Sequence, residues 1–122
     1  VLGSIDDAFG NSVAAVKAPR DGMVIGCAAL HVFPETTVGE LACVAVHGNY
    51  RGGERGERLV EALERRARQR GLSDMFVLTT HTAHWFVERG FRAASLEDLP
   101  PLKREAYNHA RKSKVLVKNL AG

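Results

Sequence analysis

Residues 39–71, GELACVAVHGNYRGGERGERLVEALERRARQRG, constrain the fold more than any other stretch of the chain. Residues 41–46 form a short apolar run of small and β-branched side chains, which predicts a strand. Residues 47–56 hold Gly48, Gly52, Gly53 and Gly56 and predict a turn-rich loop. In residues 57–70 the apolar side chains Leu59, Val60, Leu63 and Ala67 recur at helical spacing with charges between them, which predicts an amphipathic helix. Gly71 stands where a helix-ending glycine belongs.

A strand, a glycine loop and a helix start make a natural anion cradle. Glycines let the backbone approach a ligand closely. The first helical turn offers N–H groups without intrahelical partners, and the helix dipole adds partial positive charge. Arg51 and Arg55 add fixed charge on the same loop, so a phosphate-bearing ligand is expected. The loop is not a Walker A sequence, because no Gly-Lys-Ser/Thr follows, and the Gly-x-Gly-x-x-Gly dinucleotide spacing is absent. On its residues alone it reads equally as a glycine-rich turn with solvated charges.

The 122 residues predict one domain, with a core but no room for a second. The hydrophobic fraction of 45% and charged fraction of 25% are those of an ordinary globular protein. No apolar run is long enough to cross a membrane and no secretory pattern opens the chain, so a cytoplasmic location and no membrane partner are expected. The net charge of +3 suits an anionic ligand. No basic tract is interleaved with aromatics and no helix-turn-helix signal occurs, so nucleic acid is not an expected partner. Cys27 and Cys43 lie in two separate apolar runs and predict two buried thiols; their spacing gives no support for a disulfide. His31, His47, His81, His84 and His109 form no ligand-spaced cluster, so no metal site is expected.

Elsewhere, Ser4 to Asp7 predicts a cap for a short helix through Phe9, and residues 13–16 a strand. The turn at Pro19-Arg20-Asp21-Gly22 leads into a second strand over residues 23–33, giving an antiparallel hairpin. Residues 75–80 predict a strand, 82–89 a short helix ended by Gly90, and 91–94 a short strand. A loop with a helical turn over residues 95–101 and a helix over 103–111 follow. Residues 113–120 predict a last strand, placed near a sheet edge by its lysines. A strand–helix–strand crossover amid antiparallel pairs argues for a mixed α/β sheet.

Arg51-Gly52-Gly53-Glu54-Arg55-Gly56 resembles the coenzyme A pyrophosphate loop of the GNAT acetyltransferases, Arg/Gln-x-x-Gly-x-Gly/Ala, with Glu54 in place of the first family glycine. Further segments extend the likeness over residues 21–120: Gly26-Cys27-Ala28-Ala29-Leu30, residues 39–46, Phe76-Val77-Leu78-Thr79-Thr80, His84-Trp85-Phe86-Val87-Glu88-Arg89-Gly90-Phe91, Leu99-Pro100, Tyr107-Asn108 and residues 112–117. Together they resemble the acetyltransferase domain of the bacterial N-acetylglutamate synthase family.

That resemblance implies a GNAT fold over residues 1–122, with residues 1–20 atypical or truncated and the usual N-terminal strand and helix missing. It implies acetyl-CoA as co-substrate and the α-amine of L-glutamate as acceptor, the entry to arginine biosynthesis. The pantetheine arm would lie where the strand of residues 41–46 splays from that of residues 75–80. Glu40 falls at the family's general base; from its position alone it reads as a surface carboxylate before a strand. Backbone N–H groups of Cys43, Val44, Ala45 and Val46 would face the thioester, and Arg51, Gly52, Gly53, Glu54, Arg55 and Gly56 the pyrophosphate. Thr79 falls where the family places a hydroxyl near the sulfur, and reads equally as a β-branched strand residue. Arg111 and Ser113 fall at positions that hold the glutamate α-carboxylate, which a guanidinium fork suits; Arg111 reads equally as a solvated charge. Trp85 and Phe86 read as core, with Phe86 flanking the coenzyme. Cys43 and Tyr107 read as packing rather than as nucleophile and proton donor.

The sequence departs from the family in two ways. It holds no amino-acid-kinase-like segment, so arginine inhibition through one is not expected. Gly3-Ser4-Ile5-Asp6-Asp7 stands where a basic run would help to wall the acceptor pocket. A fragment, a homodimer in which a second copy completes the sheet, or a different amine acceptor would each account for that. A non-catalytic acyl-CoA-binding module is the alternative of another class.

Overall fold

The computed structural model describes residues 2–6, 12–17, 24–33, 35–46, 55–107 and 112–120. In chain order these form β1 (Leu2–Asp6), β2 (Ser12–Lys17), β3 (Val24–Val32), β4 (Val38–Val46), α1 (Arg55–Gln69), β5 (Asp74–Thr79), α2 (Ala83–Val87), β6 (Arg92–Ala93), a 3-10 turn (Leu96–Asp98), α3 (Pro101–Ala106) and β7 (Lys114–Asn119). The strands make one sheet in the order β1-β2-β3-β4-β5-β7-β6. Every neighbouring pair is antiparallel except β4 and β5, which run parallel and are joined through α1. The expected mixed α/β sheet with one central crossover is therefore the fold.

The N-terminus differs from expectation. Residues 4 to 6 do not begin a helix: Leu2–Asp6 pair with β2 from Leu2↔Val16 to Asp6↔Ser12. These residues join an existing sheet edge, and the short helix expected through Phe9 lies outside the described residues. The N-terminal strand expected to be missing is present as β1. Among the described residues no helix precedes Arg55.

The last strand also differs. Its lysines suggested an edge, yet β7 lies between β5 and β6. Both of its faces are covered. Leu116 is buried in one apolar cluster with Leu59, Leu63, Met75 and Val77. Val115 and Val117 are buried in another with Phe76 and Leu99. Lys118 points at the α1 side, where its Nζ donates to Glu64 Oε1 at 2.8 Å and to the Arg89 carbonyl at 2.9 Å. Glu64 is correspondingly buried, although its helical position suggested a solvated face. The charge of each partner offsets the desolvation of the other, and the carbonyl takes a further Lys118 proton.

These two clusters lie on opposite faces of the sheet. The first, under α1 and α2, takes Leu30, Leu41, Met75, Val77 and Phe86. All four apolar positions read from the α1 sequence, Leu59, Val60, Leu63 and Ala67, are buried there. The second, under the 3-10 turn and α3, takes Phe76 and Leu99, with Val38, Leu78 and Tyr107 packed against it. Successive β5 residues alternate between the two, as strand geometry requires.

Both helix-ending glycines serve as expected. Gly71 has φ +78° and Gly90 φ +95°. At the first, Leu72 N–H donates to the Ala67 carbonyl and Gly71 N–H to that of Arg68; at the second, Phe91 donates to Phe86 and Gly90 to Val87. Both are Schellman closures, which need the left-handed residue. Gly39 answers to space instead: a Cβ there would come within 2.8 Å of Leu72 Cδ1 and 2.9 Å of Leu30 Cδ1. Gly39→Ala should therefore cost about 1–3 kcal/mol by overpacking. Urea denaturation checks this, and an unchanged midpoint would mean that the leucines yield freely.

Candidate functional site

The parallel pairing of β4 with β5 is short. It runs through Val38↔Asp74, Gly39↔Met75 and Glu40↔Phe76 and stops there. β4 continues to Val46 and β5 to Thr79 with no further pairing between them. The closed end is stitched: Ser73 N–H donates to the Thr37 carbonyl at 2.7 Å, and the two hydroxyls lie 2.9 Å apart.

A β-bulge accompanies the parting. Opposite β3, the register passes from Cys27↔Ala45 to Ala29↔Ala42, so β4 carries one residue more than β3 across Cys43 and Val44. Bulges bend a strand and raise its twist. The backbone groups that β4 would give to β5 beyond Glu40 have no strand partner, and in a folded protein such groups seek one. The ladder is therefore open beyond Glu40, and this slot between β4 and β5 lies beside the main chain of Cys43, Val44, Ala45 and Val46. At its open end β4 leads towards α1, whose N-terminal turn starts at Arg55 and Gly56. Arg51, Gly52, Gly53 and Glu54 lie outside the described residues, as does Arg111.

Chemistry-bearing side chains flank the slot on both faces. Glu40, the last paired residue of β4, is only 6% exposed. This corrects its reading as a strand-mouth residue: β4 starts at Val38, so Glu40 is inside the sheet. Its neighbour Leu41 points into the α1-side cluster, which turns Glu40 to the α3 side. There Lys103 Nζ lies 3.0 Å from Glu40 Oε2, and His31 Nδ1, on the cross-strand partner residue, 3.8 Å from Oε1. Pro101 at the first position of α3 pre-sets the helix that carries Lys103.

Thr79 stands on the other face of the sheet. Two residues beyond Val77 on β5, it shares the α1 and α2 side. Its Oγ1 accepts the Thr82 N–H at 3.0 Å and lies 2.6 Å from Thr82 Oγ1. Ser113 sits just before β7, and its carbonyl accepts the Tyr107 hydroxyl at 2.6 Å. That bond commits the Tyr107 proton to the backbone. Phe86 is packed into the core, edge-on to Trp85 and Phe91. Cys27 is a free, half-buried thiol rather than a buried one. Among the described residues no group of three or more His, Cys, Asp or Glu side chains could hold a metal ion.

Lys103, His31 and Thr82 were not singled out by the sequence. His31 could have been, since alternation on a hairpin sets it opposite Glu40. Thr82 had the i+3 spacing from a strand-end threonine. Lys103 had no sequence signal, because only the tertiary fold brings α3 against β4.

The Acetyltransferase (GNAT) family matches residues 4–91, and the chain belongs to that family. Within it, the chain is similar to proteins called amino-acid acetyltransferase. That of Mannheimia succiniciproducens is 56% identical over 101 residues, 83% of this chain and 23% of that protein. That of Escherichia coli K12 is 54% identical over the same length. The chain thus spans about a quarter of the length of these relatives. Among solved structures, N-acetylglutamate synthase from Neisseria gonorrhoeae, complexed with coenzyme A and N-acetyl-glutamate, superposes with a TM-score of 0.80 at 41% identity. That match covers 91% of this chain and 26% of the other.

Glu40 and Lys103 stabilise each other only as a pair. Lys103→Met should cost about 3 kcal/mol, the low end for breaking an ion pair with one buried partner. In a Glu40→Gln background the same change should cost much less. A double-mutant cycle by urea denaturation measures the coupling, and additive costs would contradict the pairing.

Proposed function

We propose that the chain transfers an acetyl group from acetyl-CoA to the α-amine of L-glutamate by direct attack on the thioester. The observation that carries this reading is the slot between β4 and β5, with a buried carboxylate on one face and a hydroxyl on the other. The pantetheine amides can pair with the main chain freed on β4, as a strand would. The pyrophosphate goes to Arg51, Gly52, Gly53, Glu54, Arg55 and Gly56 at the start of α1. Phe86 supports the coenzyme wall from beneath.

On the α3 face the acceptor ammonium meets Glu40. One proton passes to the carboxylate, and the freed amine attacks the thioester carbon. Backbone N–H groups around Cys43, Val44 and Ala45 receive the oxyanion. The tetrahedral intermediate then collapses, and the carbon–sulfur bond breaks. The second ammonium proton is lost as the amide forms. Of the two protons, one ends on the thiolate and one in solvent. Thr79 stabilises the departing thiolate by hydrogen bonding from the α2 face.

The Glu40–Lys103 pair supports an acidic amino-acid acceptor over a simple amine. An ammonium that displaces Lys103 from Glu40 would strand the lysine beside a neutralised partner. An acceptor that brings its own carboxylates supplies Lys103 with a new anion at once. Arg111 and Ser113 are proposed to hold the α-carboxylate.

Two measurements test the reading. Arg51→Glu combined with Arg55→Glu should abolish acetyl-CoA binding by calorimetry while far-UV circular dichroism is unchanged; retained affinity would remove the loop from the site. Glu40→Gln should lower kcat by about 10²–10⁴-fold, the range for a lost general base, with coenzyme affinity nearly unaltered. An unchanged kcat would assign the proton to another group.

A further inference from the structure

We propose that Thr82 is a positioning residue for the leaving group, orienting the Thr79 hydroxyl so that its hydrogen points at the departing sulfur. The inference rests on the acetyl-transfer reading above and on the proposed role of Thr79 within it.

The argument starts from what a hydroxyl can do. It has one hydrogen to give and two lone pairs to fill. Thr79 Oγ1 already accepts the Thr82 backbone N–H at 3.0 Å. Its second contact, Thr82 Oγ1 at 2.6 Å, is a short O–H···O hydrogen bond in which either oxygen can donate. The two directions have opposite consequences. If Thr79 donates, its only hydrogen is used and nothing is left for the thiolate. If Thr82 donates, both Thr79 lone pairs are filled, and the Thr79 hydrogen is released towards the slot.

Thr82 is free to donate. It occupies the N-cap of α2, where a threonine commonly accepts a backbone N–H of the first turn, yet it makes no side-chain capping bond. Its hydroxyl is turned to Thr79 instead. A developing thiolate selects the productive direction, because a hydrogen bond to an anion is roughly twice as strong as a neutral one. The hydrogen-bonded pair also polarises in the same sense, so Thr79 becomes a better donor as charge grows on sulfur. The gain therefore falls in the transition state rather than in the bound ground state. No proton need leave Thr79 for good. The oxygen keeps its hydrogen and the thiolate takes its final proton from those released by the acceptor ammonium.

The test uses thiol release from acetyl-CoA with L-glutamate by four variants of the full chain. Thr82→Val keeps the backbone N–H and removes only the hydroxyl. It should lower kcat about tenfold, the loss of one hydrogen bond in the transition state, with KM for acetyl-CoA and the melting temperature little changed. Thr82→Ser should restore the rate. Thr79→Val should be slowed at least as much as Thr82→Val, and Thr79→Val combined with Thr82→Val should be no slower than Thr79→Val alone, because Thr82 acts only through that oxygen. Wild-type kcat for Thr82→Val, or losses that multiply in the double variant, would overturn the proposal while the acetyl-transfer reading stands. Wild-type kcat for Thr79→Val would remove Thr79 from the mechanism and the proposal with it. Absence of glutamate-dependent thiol release from the unsubstituted chain would overturn the underlying reading itself.

Discussion

A parallel strand pair is held together by evenly spaced backbone bonds, and β4 and β5 keep them only from Val38↔Asp74 to Glu40↔Phe76. The Thr37–Ser73 bonds fasten the pair at one end, and the bulge at Cys43 and Val44 turns β4 away at the other. An interrupted ladder inside a sheet would ordinarily be a defect, since unpaired main-chain groups cost free energy wherever water is excluded. In this sheet the freed groups are the ones proposed to face the coenzyme. The flanks of the slot inherit the alternation of the strands. Glu40 goes to the α3 side and Thr79 to the α1 side, so in the proposed reaction the sheet itself separates the acceptor from the leaving group.

Two lysine–carboxylate pairs mark these two faces, and they differ in what surrounds them. Lys118 is held by Glu64 and by the Arg89 carbonyl, so it clamps α1, β7 and the end of α2 together on the α1 face. Lys103 reaches Glu40 from a short helix, with the exposed His31 ring as the only other basic group near that carboxylate among the described residues. The first pair is a fixture of the core. The second can be exchanged for ligand charges of the same signs, and that exchange is what the proposed acceptor chemistry needs.

Much of this was legible in the sequence where local chemistry decides. Leu59, Val60, Leu63 and Ala67 announced the buried stripe of α1, Gly71 and Gly90 its end and that of α2, and the strand–loop–helix order the parallel crossover. What stayed hidden was set by neighbours in space. The lysines of β7 suggested an edge because nothing local shows that β6 lies beyond it, or that Glu64 of α1 waits over Lys118. Ser4 to Asp7 suggested a cap because the chance of residues 2–6 to pair with β2 depends on a strand formed later in the chain. Glu40 looked superficial because the strand was read from Leu41. Gly39 lies within that strand, and it is glycine to make room for Leu30 and Leu72.

The central claim is that one slot joins a thioester to an amino-acid acceptor. Its most direct test is a comparison of acetyl-CoA-dependent thiol release by the purified chain with L-glutamate, with a simple alkylamine, and with neither. The account expects release that saturates with L-glutamate and stays at background in the other two. Equal rates with the alkylamine, or release indifferent to any acceptor, would contradict it.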